Sequence, residues 1–466
     1  MSDLEREEKE IEKAYIVAGE EDLGLSVEQT ESGTVEQRTR IDTHHSHKHH
    51  SKAYYKYRRI KHKIKKYFKK NKLGWVSPVL IVLLGVALIV VSVHSQSASK
   101  KQVSEESETT AAVVSTDSVD ESVALKVPAF NSEQFLVNDI IADYMNPEYD
   151  SSVADSIAAI TLTERLDVCK PVTLKYSVNA LPAGVTITNV RILVSENSDL
   201  SKAIIINKDS TDSIIKIPNL KTYTKYYYSV DVILSNETTV STAGSFITAA
   251  TPRILTVDGA VNVRDIGGWK TVNGKTVKQG LLYRGSEIDG AYQADYKATG
   301  EGVTTLINSL GVICDFDLRG NETVIPSQSP LGASVKHLQF ASSSYTGIFS
   351  SEYSDEMKDI FSSFADRNNY PMYLHCTMGL DRTGTVCYVL EALLGVSEQD
   401  LIKEYELSCL AYTSLRPRDR GSDFMNFVSA FNELEGANSQ EKAQNYLLSI
   451  GVTQDEINSI KDIFLG

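Results

Sequence analysis

The sequence is poor in cysteine and in basic residues, and both shortages narrow the possible functions. Five cysteines in 466 residues are few for a disulfide framework, and their spacing contains no zinc-binding pattern. Lysine and arginine number 47 against 61 acidic residues, which gives a formal net charge of −14. Such a charge argues against nucleic acid as a partner. The residues present predict no metal and no other cofactor.

Charged residues are also absent from one long stretch near the N-terminus. Residues 73–93 contain no Asp, Glu, Lys or Arg, and about 20 apolar residues suffice to cross a membrane. The stretch is longer than the ~7 to 15 apolar residues of a signal peptide, and it begins far from Met1. We therefore predict a transmembrane helix over residues 73–94.

The two flanks of this span differ in charge. Residues 48–72 are dense in Lys and Arg and contain no acid, whereas residues 93–103 contain only two lysines. The positive-inside rule then predicts a single-pass protein of the cell membrane, with its N-terminus in the cytoplasm and its later part at the cell surface. We expect the basic flank to contact anionic lipid headgroups. Residues 1–72, acidic and then basic, are predicted to form a disordered cytoplasmic tail.

The sequence changes character after the span. Residues 95–128 are rich in Ser, Thr and Glu and indicate a linker. Residues 129–166 contain amphipathic stretches and are predicted to be a short, partly helical segment. Residues 167–250 contain short β-branched runs separated by turn residues, which indicates an all-β sandwich. Its predicted strands are 173–178, 190–195, 203–207, 214–217, 226–234 and 245–248.

Two places in this sandwich region resemble fibronectin type III domains. Residues 220–226, LKTYTKY, resemble the tyrosine-corner strand of those domains, and residues 244–248, GSFIT, resemble their last strand. The tryptophan that is usual on an early strand is missing. The resemblance implies a module that spaces or binds rather than one that catalyses.

The most specific motif is HCTMGLDRTG at residues 375–384, in which cysteine and arginine lie six positions apart. A free thiol with a pKa near ~8.5 is only partly ionised at neutral pH, so a nucleophilic cysteine needs amide dipoles or cations around it. If the loop curls around one anion, its N–H groups and the following helix N-terminus supply them. The predicted phosphate-binding residues are Thr377, Met378, Gly379, Leu380, Asp381, Arg382 and Thr383.

Individual residues of the motif have distinct expected roles. Cys376 is the candidate nucleophile, and Arg382 offers a bidentate fork to two phosphate oxygens. Gly379 relieves the loop where a side chain would crowd it. The Thr383 hydroxyl can donate to the cysteine sulfur when that sulfur leaves. His375 is expected to orient the loop through a hydrogen bond rather than to act as a base.

The motif resembles the phosphate-binding loop of cysteine-dependent protein tyrosine phosphatases. Its DRTG ending resembles the bacterial tyrosine and dual-specificity group, and three upstream segments agree with that group: residues 262–268, 282–287 and 312–319. The resemblance covers residues 253–466. It implies an α/β fold with a central sheet flanked by helices, and hydrolysis of phosphotyrosine, or of phosphoserine and phosphothreonine, through a cysteinyl phosphate without metal. Predicted strands are 280–284, 312–318, 335–340 and 372–375.

The leaving oxygen of a phosphate ester needs a proton donor. The resemblance implies that Asp381, inside the loop, does this work. Asp317 is the other candidate for the proton donor. Its alternative role is structural, in a buried ion pair with Arg319. Three further residues are expected to brace turns around the pocket or to touch substrate: Arg264, Asp265 and Arg284.

Several functional alternatives stay open at this point. Leu380 stands where members of the group often carry a lysine associated with phosphoinositide binding. Its absence argues against a phosphoinositide as the substrate. A phosphosugar of the cell envelope is a further alternative to a phosphorylated protein. A catalytically weak surface-binding or adhesion protein would keep much of the same pattern, and rhodanese-type sulfurtransferases also use a cysteine-headed anion loop. Cys314 is a candidate partner for redox protection of Cys376, provided that it lies near the pocket.

Overall fold

A computed structural model of the chain describes residues 124–145, 166–179, 181–208, 213–250, 252–320, 326–411 and 423–466. The predicted tail, the predicted span and most of the predicted linker lie outside these residues. Among the described residues, no helix has both the length and the apolar character needed to cross a membrane.

The described residues between positions 124 and 250 include antiparallel strands packed around one hydrophobic core. A four-stranded sheet has the order β5-β4-β7-β8, and β2 pairs with β6. Alternate residues of facing strands, such as Leu174, Ile192, Ile215 and Val230, meet in the core, as period-2 patterning requires. The strands are β1 (Leu125–Lys126), β2 (Val172–Lys175), β3 (Ser177–Val178), β4 (Ile187–Ser195), β5 (Ile204–Lys208), β6 (Ile214–Ile217), β7 (Lys225–Leu234) and β8 (Thr239–Ile247).

Tyr226 closes a corner at the start of β7. Its hydroxyl oxygen accepts a hydrogen bond from the backbone N–H of Lys221 at 2.9 Å, and the side chain is 3% exposed. A contact of this kind defines the tyrosine corner. Membership of this region in the fibronectin type III group stays a prediction.

The segment before the sandwich is shared between two cores. β1 pairs with β3, and Gln134 exchanges backbone hydrogen bonds with Ile247 and Ala249 at the end of β8. Helix α1 (Asp139–Tyr144) follows, after a stretch in which Gln134 is extended along the end of β8. Residues 124–145, which cover the end of the predicted linker and the start of the predicted segment, are therefore packed parts of the fold.

The C-terminal part is built on a six-stranded sheet of order β13-β12-β14-β11-β10-β9. Neighbours from β13 to β11 are parallel, and β10 and β9 are antiparallel to their neighbours. The bounds are β9 (Arg253–Ile254), β10 (Arg264–Asp265), β11 (Leu282–Gly285), β12 (Cys314–Asp317), β13 (Lys336–Gln339) and β14 (Met372–His375).

Helices cover this sheet, so the predicted α/β fold is confirmed. Helix α4 lies in the middle of the core and is buried from Thr383 to Leu394. Ser397 caps α5, and its side chain accepts a hydrogen bond from the N–H of Asp400. The helices are α2 (Gly300–Thr304), α3 (Ser354–Phe364), α4 (Asp381–Leu394), α5 (Glu398–Glu406), α6 (Asp423–Asn432), α7 (Ser439–Ser449) and α8 (Gln454–Leu465), and a 3-10 helix spans Tyr345–Phe349.

The two parts of residues 124–466 share buried polar contacts. Arg253 donates to the carbonyl oxygens of Leu220 at 3.2 Å and Asn219 at 2.8 Å, and pairs with Asp265 at 2.8 Å. On α1, the Tyr144 hydroxyl donates to the Glu406 carboxylate of α5. The sandwich and the α/β part are thus joined by hydrogen bonds as well as by chain connectivity.

All five cysteines are buried free thiols. Cys314 is aligned with Met372, four residues before Cys376, which corresponds to about 13 Å along the strand direction. Cys314 therefore lies at the opposite end of these strands from the loop, so the condition for its proposed protection of Cys376, a place near the pocket, is not met.

Candidate active site

The HCTMGLDRTG loop connects the centre of the sheet to the central helix. Strand β14 ends at His375, α4 begins at Asp381, and β11 and β12 flank β14 in parallel. Ligands of open α/β sheets bind at the carboxyl ends of such strands. Cys376 lies at this end and is 3% exposed.

The carbonyl oxygens of residues 377–379 are all bound from behind the loop. The first accepts from the N–H of Glu287 at 3.0 Å. The second and third accept from Nδ2 of Asn262 at 3.3 and 3.0 Å, and the third also accepts from Nη2 of Arg284 at 2.7 Å. Because each peptide unit carries its N–H opposite its C=O, this anchoring turns the amides of the loop toward its concave side.

Those amides form a site suited to an anion. Within the described part of the chain, the N–H groups of Gly379 and Leu380 donate no hydrogen bond, and α4 begins without a side-chain cap. Unpaired N–H groups at a helix N-terminus favour phosphate and other anions. Arg382 reaches across the loop, with Nη2 at 3.3 Å from Oγ1 of Thr377.

Gly379 is required at its position for two separate reasons. Its φ is +65°, a region that L side chains rarely adopt. A Cβ atom added there would lie 2.2 Å from the carbonyl oxygen of Gly285, at the end of β11. The close approach of loop and strand therefore leaves no room for a side chain.

A buried ion cluster holds the anchors of the loop. Glu404 on α5 accepts from Arg264 at 2.6 Å and from Arg284 at 2.7 Å. Burial opposes its charge, but the two arginines hold the pKa of Glu404 below its ordinary value. Arg264 also donates to Oδ1 of Asn262. Arg264 and Arg284 are thus engaged with the protein behind the loop, and Glu404 is a supporting residue that the sequence did not reveal.

Asn262 is held by a residue that lies just before β2. Its φ is +59°, and its N–H donates to Oδ2 of Asp167 at 2.6 Å. Asp167 is 3% exposed. The segment before β2 therefore contributes to the support of the loop.

Asp265 also serves the fold. Oδ1 accepts from the N–H of Gly267 at 2.8 Å, and Oδ2 accepts from the N–H of Gly280 at 2.6 Å and from Arg253. These contacts brace two turns beside the sheet.

His375 is a buried cation that contacts the strand next to it. Its Nε2 lies 3.0 Å from Oδ1 of Asp315, and Nδ1 lies 3.2 Å from the carbonyl oxygen of Cys376. Burial alone would lower its pKa, but Asp317 and Asp315 raise the pKa of His375 to about 9. An imidazolium cannot accept a proton, so the geometry fits an orienting residue and not a base.

Asp317 forms the ion pair that was one of its two predicted alternatives. Its carboxylate accepts from Nε and Nη2 of Arg319 at 3.0 and 2.7 Å. Arg319 also pairs with Glu287 at 2.8 Å and with Asp289 at 2.8 Å. Burial opposes ionisation, yet the charge of His375 and the hydrogen bonds of Arg319 keep the pKa of Asp317 below its ordinary value. Asp317 is therefore ionised at neutral pH and poorly suited to donate a proton.

Asp381 and Thr383 lie in the first turn of α4 and differ in their surroundings. Asp381 is half-buried and accepts from the hydroxyl of Tyr345. The Thr383 side chain is 0% exposed, and its Oγ1 has no hydrogen-bond partner among the described residues. Tyr345 had no sequence signal of its own, since it lies outside every motif.

Comparison with known proteins agrees with this geometry. Residues 255–466 match the family model described as "Tyrosine phosphatase family". The matched region is a little under half of the chain. Its boundaries contain the whole loop and the buried ion cluster behind it.

Individual relatives match shorter stretches. A Cupriavidus necator protein, provisionally named a tyrosine-protein phosphatase, is 27% identical over 173 residues, which is 32% of this chain and 61% of the relative. A tyrosine-protein phosphatase of Nostoc commune is 28% identical over 126 residues, 23% of this chain and 43% of the relative. The matches thus span less than two thirds of these curated relatives.

Among solved structures, the core catalytic domain of the PP-IP phosphatase SIW14 from S. cerevisiae, in complex with citrate, is 19% identical. The match covers 32% of this chain and 83% of the SIW14 chain, and its TM-score is 0.23.

We predict that Gly379→Ala disrupts the loop more than a glycine substitution with the same backbone strain. Gly274 has φ +79° and nothing within 4 Å of an added Cβ, so Gly274→Ala isolates the conformational cost of about 1 kcal/mol. Gly379→Ala adds the clash with Gly285, about 1 to 3 kcal/mol more. Urea unfolding of both variants measures the difference, and equal losses would contradict the close approach.

We also predict that stability falls as pH rises through the titration of His375. The folded pKa of about 9 lies above the ordinary 6.5, so this contribution is fully present below pH 6.5 and is lost through pH 9. The loss reaches about 3 kcal/mol at most. Urea unfolding from pH 6 to 10 should show a weaker dependence in His375→Gln. His337→Gln is the control, and an unchanged dependence in His375→Gln would refute the assignment.

Proposed function

We propose that this protein is a phosphatase that hydrolyses phosphomonoesters through a cysteinyl-phosphate intermediate, with phosphotyrosine in proteins as its main substrate class. The loop after β14 carries the proposal. Its carbonyl oxygens are bound from behind, its amides line the concave side, and Cys376 and Arg382 belong to the same loop. This is an arrangement for a phosphate dianion held in contact with a thiolate.

In the first step, the Cys376 thiolate attacks phosphorus while the bond to the leaving oxygen breaks. The electron pair of that bond goes to the leaving oxygen, which takes a proton from Asp381. Loop amides and the Arg382 guanidinium stabilise the charge on the three equatorial oxygens, because preorganised donors need no rearrangement as the transition state forms.

In the second step, water attacks the cysteinyl phosphate and the S–P bond breaks. Asp381, now a carboxylate, accepts the proton from water, and the electron pair returns to sulfur. The Thr383 hydroxyl supports this step, because it is buried and has no partner among the described residues. It is therefore available to donate to the sulfur as negative charge returns.

The assignment of the proton donor to Asp381 is supported by the state of its rival. Asp317 is tied to Arg319 and has a pKa below its ordinary value. Asp381 lies in the first turn of α4, beside the loop amides, whereas Asp317 is one of the carboxylates that pair with Arg319.

The substrate class is supported by the names of the curated relatives and by Leu380. Leu380 is 3% exposed and belongs to the hydrophobic core, so this position offers no cation to a second phosphate group. A phosphoinositide or a phosphosugar of the cell envelope would need its additional contacts elsewhere. Phosphoserine and phosphothreonine peptides are further candidate substrates and should be assayed together with phosphotyrosine peptides.

We predict that Cys376→Ser abolishes hydrolysis of an aryl phosphate and of phosphotyrosine peptides. Cys314→Ser, a buried thiol at the far end of the sheet, is the matched control and should keep the activity. Asp381→Asn should lower kcat/KM about 10²- to 10⁴-fold on poor leaving groups and remove the basic limb of the pH profile. Activity that survives Cys376→Ser would refute the mechanism, and an inactive parent would favour the binding or adhesion alternative.

We further propose that residues 73–94 anchor the protein in the cell membrane and that the phosphatase domain lies outside the cell. The basic flank at residues 48–72 and the uncharged stretch after it support this orientation. The sandwich, with its tyrosine corner, then fits a fibronectin type III-like spacer or recognition module between membrane and phosphatase domain.

Protease treatment of intact cells tests this topology. We expect an externally added protease to remove an epitope tag at the C-terminus and to leave an N-terminal tag intact, because only the former lies outside. Permeabilised cells, in which both tags are cleaved, are the control. Protection of the C-terminal tag in intact cells would overturn the external placement.

A further inference from the structure

The Asp381 side chain is held by a tyrosine from another element. The Tyr345 hydroxyl donates to Oδ1 of Asp381, and its oxygen lies 2.7 Å from the hydroxyl oxygen of Tyr405. Because the Tyr345 hydrogen is directed at the carboxylate, the Tyr405 hydroxyl has to donate to Tyr345. The three groups therefore form a directed chain from Tyr405 through Tyr345 to Asp381.

The far end of this chain is fixed by packing. Tyr405 is 1% exposed, and its ring stacks on Phe424 with centroids 3.6 Å apart and planes 2° apart. The other side lies against α4, where a Cβ added to Gly384 would come within 2.8 Å of the ring. Tyr405 thus has a single orientation toward Tyr345.

Tyr345 is held in an uncommon backbone conformation. Its φ is +54°, which is rare for an aromatic residue and concentrates at functional sites. Its N–H donates to Oγ1 of Thr385 at 2.9 Å, and the Thr385 hydroxyl donates to the carbonyl oxygen of Asp381 at 2.8 Å. Backbone and side chain of Tyr345 are both attached to the first turn of α4, around the same aspartate.

We propose that Tyr345 is the positioning residue of the proton donor Asp381, and that Tyr405 supports it. This inference rests on the proposed function. With Oδ1 engaged by Tyr345, the proton for the leaving oxygen is assigned to Oδ2. After the proton has moved, the Tyr345 hydroxyl stabilises the carboxylate that accepts a proton from water in the second step.

The ionisable neighbours of Asp381 within the same loop include Arg382, which follows it on α4, and Cys376, five positions before it. Tyr345 itself is half-buried, and burial, with Tyr405 and Asp381 as neighbours, raises its pKa well above the ordinary value. It therefore stays a hydrogen-bond donor across the working pH range.

The test is Tyr345→Phe in the full chain, assayed on aryl phosphates whose phenols become progressively weaker acids. The measured quantity is kcat/KM, which reports on the steps up to and including release of the phenol. We expect a loss within about twofold on the most acidic phenol and of about tenfold or more on the least acidic. The basic limb of the pH profile should move to higher pH, because the carboxylate form has lost a donor. Tyr405→Phe should show a smaller change of the same kind.

Tyr446→Phe is the matched control. Its hydroxyl donates to the carbonyl oxygen of Ile348, on the same 3-10 helix as Tyr345, at 2.7 Å. It should leave both the leaving-group dependence and the basic limb unchanged. A Tyr345→Phe loss that is equal for all phenols, with an unmoved basic limb, would overturn the positioning role and leave only a structural one.

Two further measurements separate this inference from the proposed function. In an Asp381→Asn background, Tyr345→Phe should cause no additional leaving-group dependence. The losses in unfolding midpoint caused by the two substitutions should also be non-additive, which needs no activity. Additive midpoints would overturn the contact, whereas an inactive parent with non-additive midpoints would overturn the proposed function and keep the contact.

Discussion

The shape of the anion-binding loop depends on one buried carboxylate, Glu404, and on the two arginines that it pairs. Arg284 also donates to the carbonyl oxygen of Gly379. Arg264 donates to Asn262, whose side-chain amide binds the same carbonyl oxygen. Desolvating these ions is costly, and breaking such a pair costs about 3 to 5 kcal/mol more. The cluster therefore favours one arrangement of the loop, with its amides turned inward before any ligand arrives.

Most of the fold was predictable because local sequence patterns, namely apolar periodicity and turn residues, determine its longer elements. The strand Ile214–Ile217 matches its predicted bounds, since it has a clear apolar period and clear turn residues at its ends. The strands Arg253–Ile254 and Arg264–Asp265 were missed, because two residues are too short to show a period. Their place in the sheet follows from tertiary pairing alone.

The candidate site divides along the same line. The nucleophile loop was predictable because Cys376 to Thr383 are contiguous and their spacing carries the chemistry. Glu404 and Tyr345 could not be found this way, because nothing near them in sequence shows which distant groups they meet. The sequence leaves Asp317 and Asp381 as alternatives, and the ion pair of Asp317 with Arg319 supports Asp381 as the proton donor.

The contact between Asp167 and Asn262 bears on where this protein can be divided. Residues 255–466 match the family model, yet Asp167 and Tyr144 lie outside the matched region and bond to Asn262 and Glu406 inside it. A fragment cut at the start of the matched region would lose both hydrogen bonds. The first of these outside partners, Tyr144, lies more than a hundred residues before that region.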